Sequence, residues 1–226
     1  MQKQHYFTKA VALILMLMAA LAQAQSDPRQ VVVDAVERMT ARIDADREQL
    51  KADPEQAREL VREELVDLVD FKRITRMVMG DYFGPSSKEQ KYRFLDVFKN
   101  SLINTYASGI TLYEGQQINT LPMQDEDLRG DYARVRMEIQ TNTGKTIPIF
   151  YTLYSRNDQW KVINVYVNGL DLADTFKSQF AQGMEQYGNM DQVIDNWTAD
   201  AKIDTGLDDE EEGEAGGEGN KAAADA

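Results

Sequence analysis

The stretch VINVYVNGLDLADTFKSQF, Val162 to Phe180, decides the fold because its period changes halfway along. Val162 to Val167 reads as a strand, and from Asp171 a capped helix begins with Leu172, Phe176 and Phe180 at helical spacing. In the strand, Val162 and Tyr166 fall on one side and Ile163, Val165 and Val167 on the other, so neither side is plainly meant for water. A sheet with two apolar faces needs helices to cover it.

Upstream, the strand Ala133, Val135, Met137, Ile139 alternates cleanly with polar residues. Thr141 to Lys145 supplies a turn into Ile147 to Tyr154, and Arg156-Asn157-Asp158 a turn into Trp160 to Val167. With an extended segment at Ile118 to Met123, these short connections predict an antiparallel meander of about four strands. Ile147, Ile149, Tyr151 and Leu153 share one face of the second strand, while Phe150 and Tyr154 occupy the other.

Helices fill the rest of the chain. Asp27-Pro28 and Asp53-Pro54 each pair an N-cap with a proline at the first helical position, opening helices predicted to end near Arg47 and Val69. Phe71, Ile74, Met77 and Val78 share a helical face that stops at Gly80. Ser86 and Glu89 form a capping box before a long helix with Phe94, Leu95, Phe98, Leu102 and Tyr106, and the strand period begins after Gly109. After Gly188, Asn189 caps a last short helix. The fold class is therefore α+β, a twisted antiparallel sheet with helices from both ends of the chain packed around it.

Lys3 and Lys9, the 13-residue apolar run Ala10 to Ala22 and the small-residue site Ala22-Gln23-Ala24 read as an export signal cleaved after Ala24. The run is shorter than the roughly 20 residues of a membrane helix. Residues 25–203 are expected to form one domain, and residues 204–226, with nine acidic residues against Lys221, a disordered acidic tail. With Lys3 and Lys9 removed, the net charge of -13 becomes -15, which disfavours nucleic acid as a partner.

The chain has no cysteine and its sole histidine, His5, leaves with the signal, so the mature protein can build no Ser-His-Asp triad, Cys-His pair or histidine or thiolate metal centre. Carboxylates and tyrosines remain, with Asp70, Glu138 and Tyr151 the candidates for acid–base work in a cone-shaped α+β enzyme. Two further readings remain: a central strand simply sandwiched between helices, and an apolar cavity left between helices and sheet. Such a cavity suits lipid tails or, in a chaperone, apolar polypeptide.

Four blocks of sequence resemble the MlaC-type periplasmic phospholipid carriers, the toluene-tolerance auxiliary family. They are Asp70-Phe71 with Met77 to Tyr82; Ser87 to Gln90 with Phe94, Phe98, Leu102 and Tyr106; Trp160-Lys161-Val162; and Asn168-Gly169-Leu170 running into Phe176 to Phe180. The family pattern has an acidic residue before the glycine and Val-Ser after it, where this chain has Asn168, Leu170 and Asp171, and it lacks the acidic tail.

The resemblance implies a non-enzymatic periplasmic shuttle with no cofactor and phospholipid as cargo. It would exchange lipid between an outer-membrane lipoprotein complex and an inner-membrane ABC transporter complex, maintaining outer-membrane lipid asymmetry. It also implies a tail-lining set: Phe71, Ile74, Met77, Val78 and Phe98 from helices, and Val135, Met137, Ile147, Ile149, Val165, Val167 and Leu170 from the sheet and its exit.

Overall fold

The computed structural model describes residues 27–110, 113–199 and 201; the segments expected to be an export signal and a disordered acidic tail lie outside them. Four helices come first: α1 (Pro28–Ala52), α2 (Pro54–Leu68), α3 (Phe71–Met79) and α4 (Lys88–Ile110). Six strands follow: β1 (Gln117–Thr120), β2 (Leu128–Arg129), β3 (Tyr132–Gln140), β4 (Thr146–Arg156), β5 (Gln159–Val167) and β6 (Leu170–Asp171). Helices α5 (Leu172–Tyr187) and α6 (Met190–Asp195) then return along the sheet. Among the described residues no helix is long and apolar enough to cross a membrane.

The N-caps work as the sequence suggests, with one shift. Asp27, Asp53, Asp70, Asp171 and Asn189 each accept a backbone N–H in the first turn of the helix they precede. The capping box of α4 lies one residue later than predicted: Ser87 and Gln90 exchange side-chain and backbone bonds at 3.0 and 3.1 Å. The Ser86 hydroxyl donates instead to the Tyr82 carbonyl, 2.6 Å away. Helix α1 runs past its predicted end at Arg47 to Ala52, with a departure from helical geometry at Asp46. Helix α4 continues to Ile110, one residue beyond Gly109.

The sheet is antiparallel and open, in the order β1-β3-β4-β5-β6, with β2 also on β3. It has six strands rather than about four, because β2 and β6 are two residues each, too short to show an alternation. Asn157 and Asp158, both at positive φ, make the two-residue β4–β5 turn, and Asn168-Gly169 makes the next.

The register explains the strand that looked apolar on both sides. Tyr151 pairs with Val165 and Ile149 with Val167, yet Leu153 pairs with Val162, so β5 carries one extra residue opposite the Thr152–Leu153 step. This β-bulge re-aims the chain. Paired residues share a face, so Val162 turns onto the face of Leu153, Val165 and Val167, while Tyr166 pairs with Phe150 on the other. Val162 and Ile163 are consecutive and both buried. The expectation that Val162 sits opposite Val165 and Val167 is corrected by the bulge.

Two helices hang from this segment. The Val162 carbonyl accepts the Asp70 N–H at 2.9 Å, fixing the start of α3. The Asn164 amide donates to Asp171 at 2.9 Å and its oxygen accepts the Ala173 N–H at 3.1 Å, fixing the start of α5. Below these starts, Phe94 contacts Phe180 at 4.7 Å and Trp197 at 5.1 Å between ring centroids, and Phe98 contacts Phe176 at 5.5 Å, packing α4, α5 and the α6 exit together.

Replacing Asn164 by Ala removes both bonds to α5 and leaves the Ala173 N–H without that acceptor. The expected loss is about 2 kcal/mol of unfolding free energy in urea. An unchanged midpoint would show that α5 is held by packing alone.

Candidate functional site

The helical layer does not close onto the sheet. Between them lies a cavity of about 410 Å³, walled by α1 (Val32, Val36, Met39, Ile43), α2 (Leu65, Leu68), α3, α4, the inner face of β4 and β5, and α5 (Leu172, Phe176). Its wall is almost wholly apolar and, among the described residues, carries no lysine or arginine and one charged residue, Glu64. Glu64 is paired with Arg38 at 3.0 Å.

Of the residues proposed as lining, Phe71, Ile74, Phe98, Ile149, Val165 and Val167 stand in the cavity wall. Val78, Val135, Met137 and Ile147 are buried but packed into solid core outside it. Val135, for example, lies under Val32, Trp160 and Val162. Met77 is 37% exposed, because the buried arc of α3 is Phe71, Ile74, Thr75, Val78 and Met79. At about 100° per residue, Met77 falls roughly 120° from the middle of that arc. Leu170 borders a separate surface depression beside Asp171 and Asp174.

The cavity residues outside the proposed set divide into two kinds. The α1 and α2 stripes were visible as amphipathic faces, but periodicity cannot say whether a face meets solid core or open space. Val162 and Ile163 reach the cavity together through the bulge, which strict alternation hides.

Asp70, Glu138 and Tyr151, the candidates for acid–base chemistry, are not brought together. The Asp70 carboxylate accepts the Arg73 backbone N–H at 3.0 Å as a cap. Glu138 lies opposite Asn119 and Pro148 on β3 and does not line the cavity. Tyr151 does line it, together with Tyr106 of α4. Burial pushes the Tyr106 phenol up to about 12. Tyr106 keeps 37% of its surface accessible and borders the cavity. Burial, with the neighbouring Tyr106, raises the Tyr151 phenol as well.

A phenol raised in the folded state keeps its proton while the unfolded chain loses it, so its contribution is complete below about pH 10 and is lost as pH rises towards about 12. Urea midpoints of the wild type and Tyr106→Phe are expected to run in parallel below pH 9, with the wild type falling relative to the variant above pH 10.5. Parallel curves throughout would place the hydroxyl in bulk water.

With this geometry in place, the likenesses to known proteins fall into line. Toluene tolerance protein ttg2D of Pseudomonas putida is 33% identical over 192 residues, covering 83% of this chain and 88% of that protein. The intermembrane phospholipid transport system binding protein MlaC of Haemophilus influenzae is 26% identical over 184 residues, covering 78% of this chain and 85% of its own. Among solved structures, a phospholipid-binding protein from Ralstonia solanacearum, in complex with a phospholipid, superposes with a TM-score of 0.67 at 26% identity, covering 84% of this chain and 99% of that one. The family model described as MlaC protein matches residues 33–199, which include every described cavity-wall residue except Val32, and the chain belongs to that family.

Proposed function

We propose that this protein is a periplasmic phospholipid carrier that encloses acyl tails between its helices and sheet and leaves the head group in water. It accepts and delivers lipid at an outer-membrane lipoprotein complex and an inner-membrane ABC transporter complex. The observation that carries the reading is the 410 Å³ apolar cavity in a fold whose Ralstonia neighbour holds a phospholipid. The names of the Pseudomonas and Haemophilus relatives agree with it.

Magnitudes favour this cargo. A tail of about 16 carbons, at about 0.8 kcal/mol per methylene, represents roughly 13 kcal/mol of apolar burial, so a carrier that left it wet could not compete with a bilayer. An apolar cavity of about 150 Å³ takes a benzene ring, so the space here holds on the order of sixteen carbons, one whole tail. A second tail needs the helical layer to move outward. A phosphate has no cationic partner in this wall and would stay at the surface, where its hydration is kept.

Protein purified gently from a bacterial periplasm is expected to carry phospholipid, seen by native mass spectrometry. Val165→Glu and Ile149→Glu, which put a carboxylate in the cavity wall, should abolish that lipid. Val165→Trp should reduce it by filling space while the fold is kept. An empty wild-type protein, or glutamate variants still loaded, would count against the carrier. Removing residues 204–226, proposed to serve only solubility, is expected to leave lipid retention unchanged in the same measurement.

A further inference from the structure

Among the described residues the polar groups of the cavity wall are engaged, the hydroxyls of three tyrosines excepted. The Thr40 hydroxyl donates to the Val36 carbonyl at 2.9 Å, Glu64 binds Arg38, and the Gln116 oxygen accepts the Glu114 N–H at 2.8 Å. The Asn164 side chain is spent on Asp171 and Ala173. Tyr113 lies against Arg47 at the partly exposed end of the wall. Tyr106 and Tyr151 line the cavity from opposite layers, one on α4 and one on β4, and neither has a hydrogen-bond partner among the described residues. Both border the same cavity, and Tyr106 is near enough to add to the rise of the Tyr151 phenol. Two phenol donors in a mostly apolar wall are costly to desolvate unless something in that space accepts from them.

We propose that the Tyr106 and Tyr151 hydroxyls form a donor pair for an acyl-ester carbonyl of the bound lipid, setting the depth to which the tails enter. This rests on the carrier reading. A carbonyl oxygen offers two lone pairs, one for each phenol, and is neutral. A phosphate is the wrong acceptor at this depth, since the one charged group in the wall is the carboxylate of Glu64. Tyr106 also sits within a turn of Gly109 and Ile110, where α4 ends and the wall takes in Tyr113 and Gln116. There the surroundings change from purely apolar to polar, as a glycerolipid does between its tails and its glycerol.

The test uses the full mature chain, delipidated and reloaded with either of two lipids of identical head group and chain length. One is a diacyl phosphatidylethanolamine with ¹³C-labelled carbonyls, the other its diether analogue, which lacks them. In direct competition the wild type is expected to prefer the ester lipid roughly fivefold to tenfold. Tyr106→Phe/Tyr151→Phe, which removes only the two oxygens, should bring the ratio to about one without weakening the diether. The ¹³C carbonyl band should lie at lower wavenumber in the wild-type complex than in the double variant. Equal binding of both lipids by the wild type overturns the anchor and leaves the carrier intact, as does a preference that survives in the double variant. Failure of the wild type to retain either lipid overturns both.

Discussion

The architecture depends on one extra residue in β5. If Val162 to Val167 kept strict alternation, Val162 and Val165 would face opposite ways and the sheet would need a full layer on each side. The bulge at Ile163 gathers Val162, Ile163, Val165 and Val167 around the cavity and leaves Tyr166 and Phe150 behind. It also frees the polar groups that position the helices. The Val162 carbonyl binds Asp70 and the Asn164 side chain binds the start of α5, so one local irregularity fixes two walls of the cavity. The sheet and the helices that face it are thus held apart by backbone geometry at their shared edge. Space between them is a consequence of where α3 and α5 begin.

Much of this was legible in the sequence because short-range signals carried it. Asp-Pro pairs, the Asn189 cap and the turns at Asn157-Asp158 and Gly144 each act over a few residues, and the structure follows them. What alternation could not show was the bulge, since an inserted residue leaves a run such as VINVYV looking apolar on both sides. β2 and β6 escaped for the same reason: two residues have no period. At α4 the choice between Ser86 and Ser87 as cap turned on whether the following acceptor was Glu89 or Gln90, which are equally good formers of the box.

The cavity wall was legible only in part. The members of the expected set that border it, Phe71, Ile74, Phe98, Ile149, Val165 and Val167, sit where helix and sheet diverge. Val135, Met137 and Ile147 have the same pattern and the same face, but there the layers meet, Val135 under Val32. A hydrophobic pattern specifies which side is inward, while the gap between layers is a property of pairs of elements distant in the chain. Tyr106 and Tyr151 illustrate a different limit. Aromatic residues on apolar stripes are expected to pack by their rings, and only the tertiary structure reveals that their hydroxyls lack partners.

The cavity also bears on why the protein folds at all. In engineered cores an empty apolar space costs about 24 cal/mol per Å³, which for 410 Å³ gives on the order of 10 kcal/mol, as large as the whole stability of a typical domain. Left empty, the space would put that burden on the other core regions. Phe94, Phe98, Phe176, Phe180 and Trp197 knit α4, α5 and the α6 exit into an aromatic cluster, and Ile43, Leu60, Val61 and Ile103 knit α1, α2 and α4. Phe98 and Phe176 belong both to that cluster and to the cavity wall, so the wall has a rigid backing on one side. The helices α1 and α2 are the opposite wall, joined to the rest mainly through α4 and strands β1, β3 and β5. An apolar guest relieves the cost of the void without any new contact among protein groups. The same arithmetic makes selection by chain chemistry weak, since any hydrocarbon fills the space, and gives the few polar atoms in the wall disproportionate influence on which lipid sits there and how deeply.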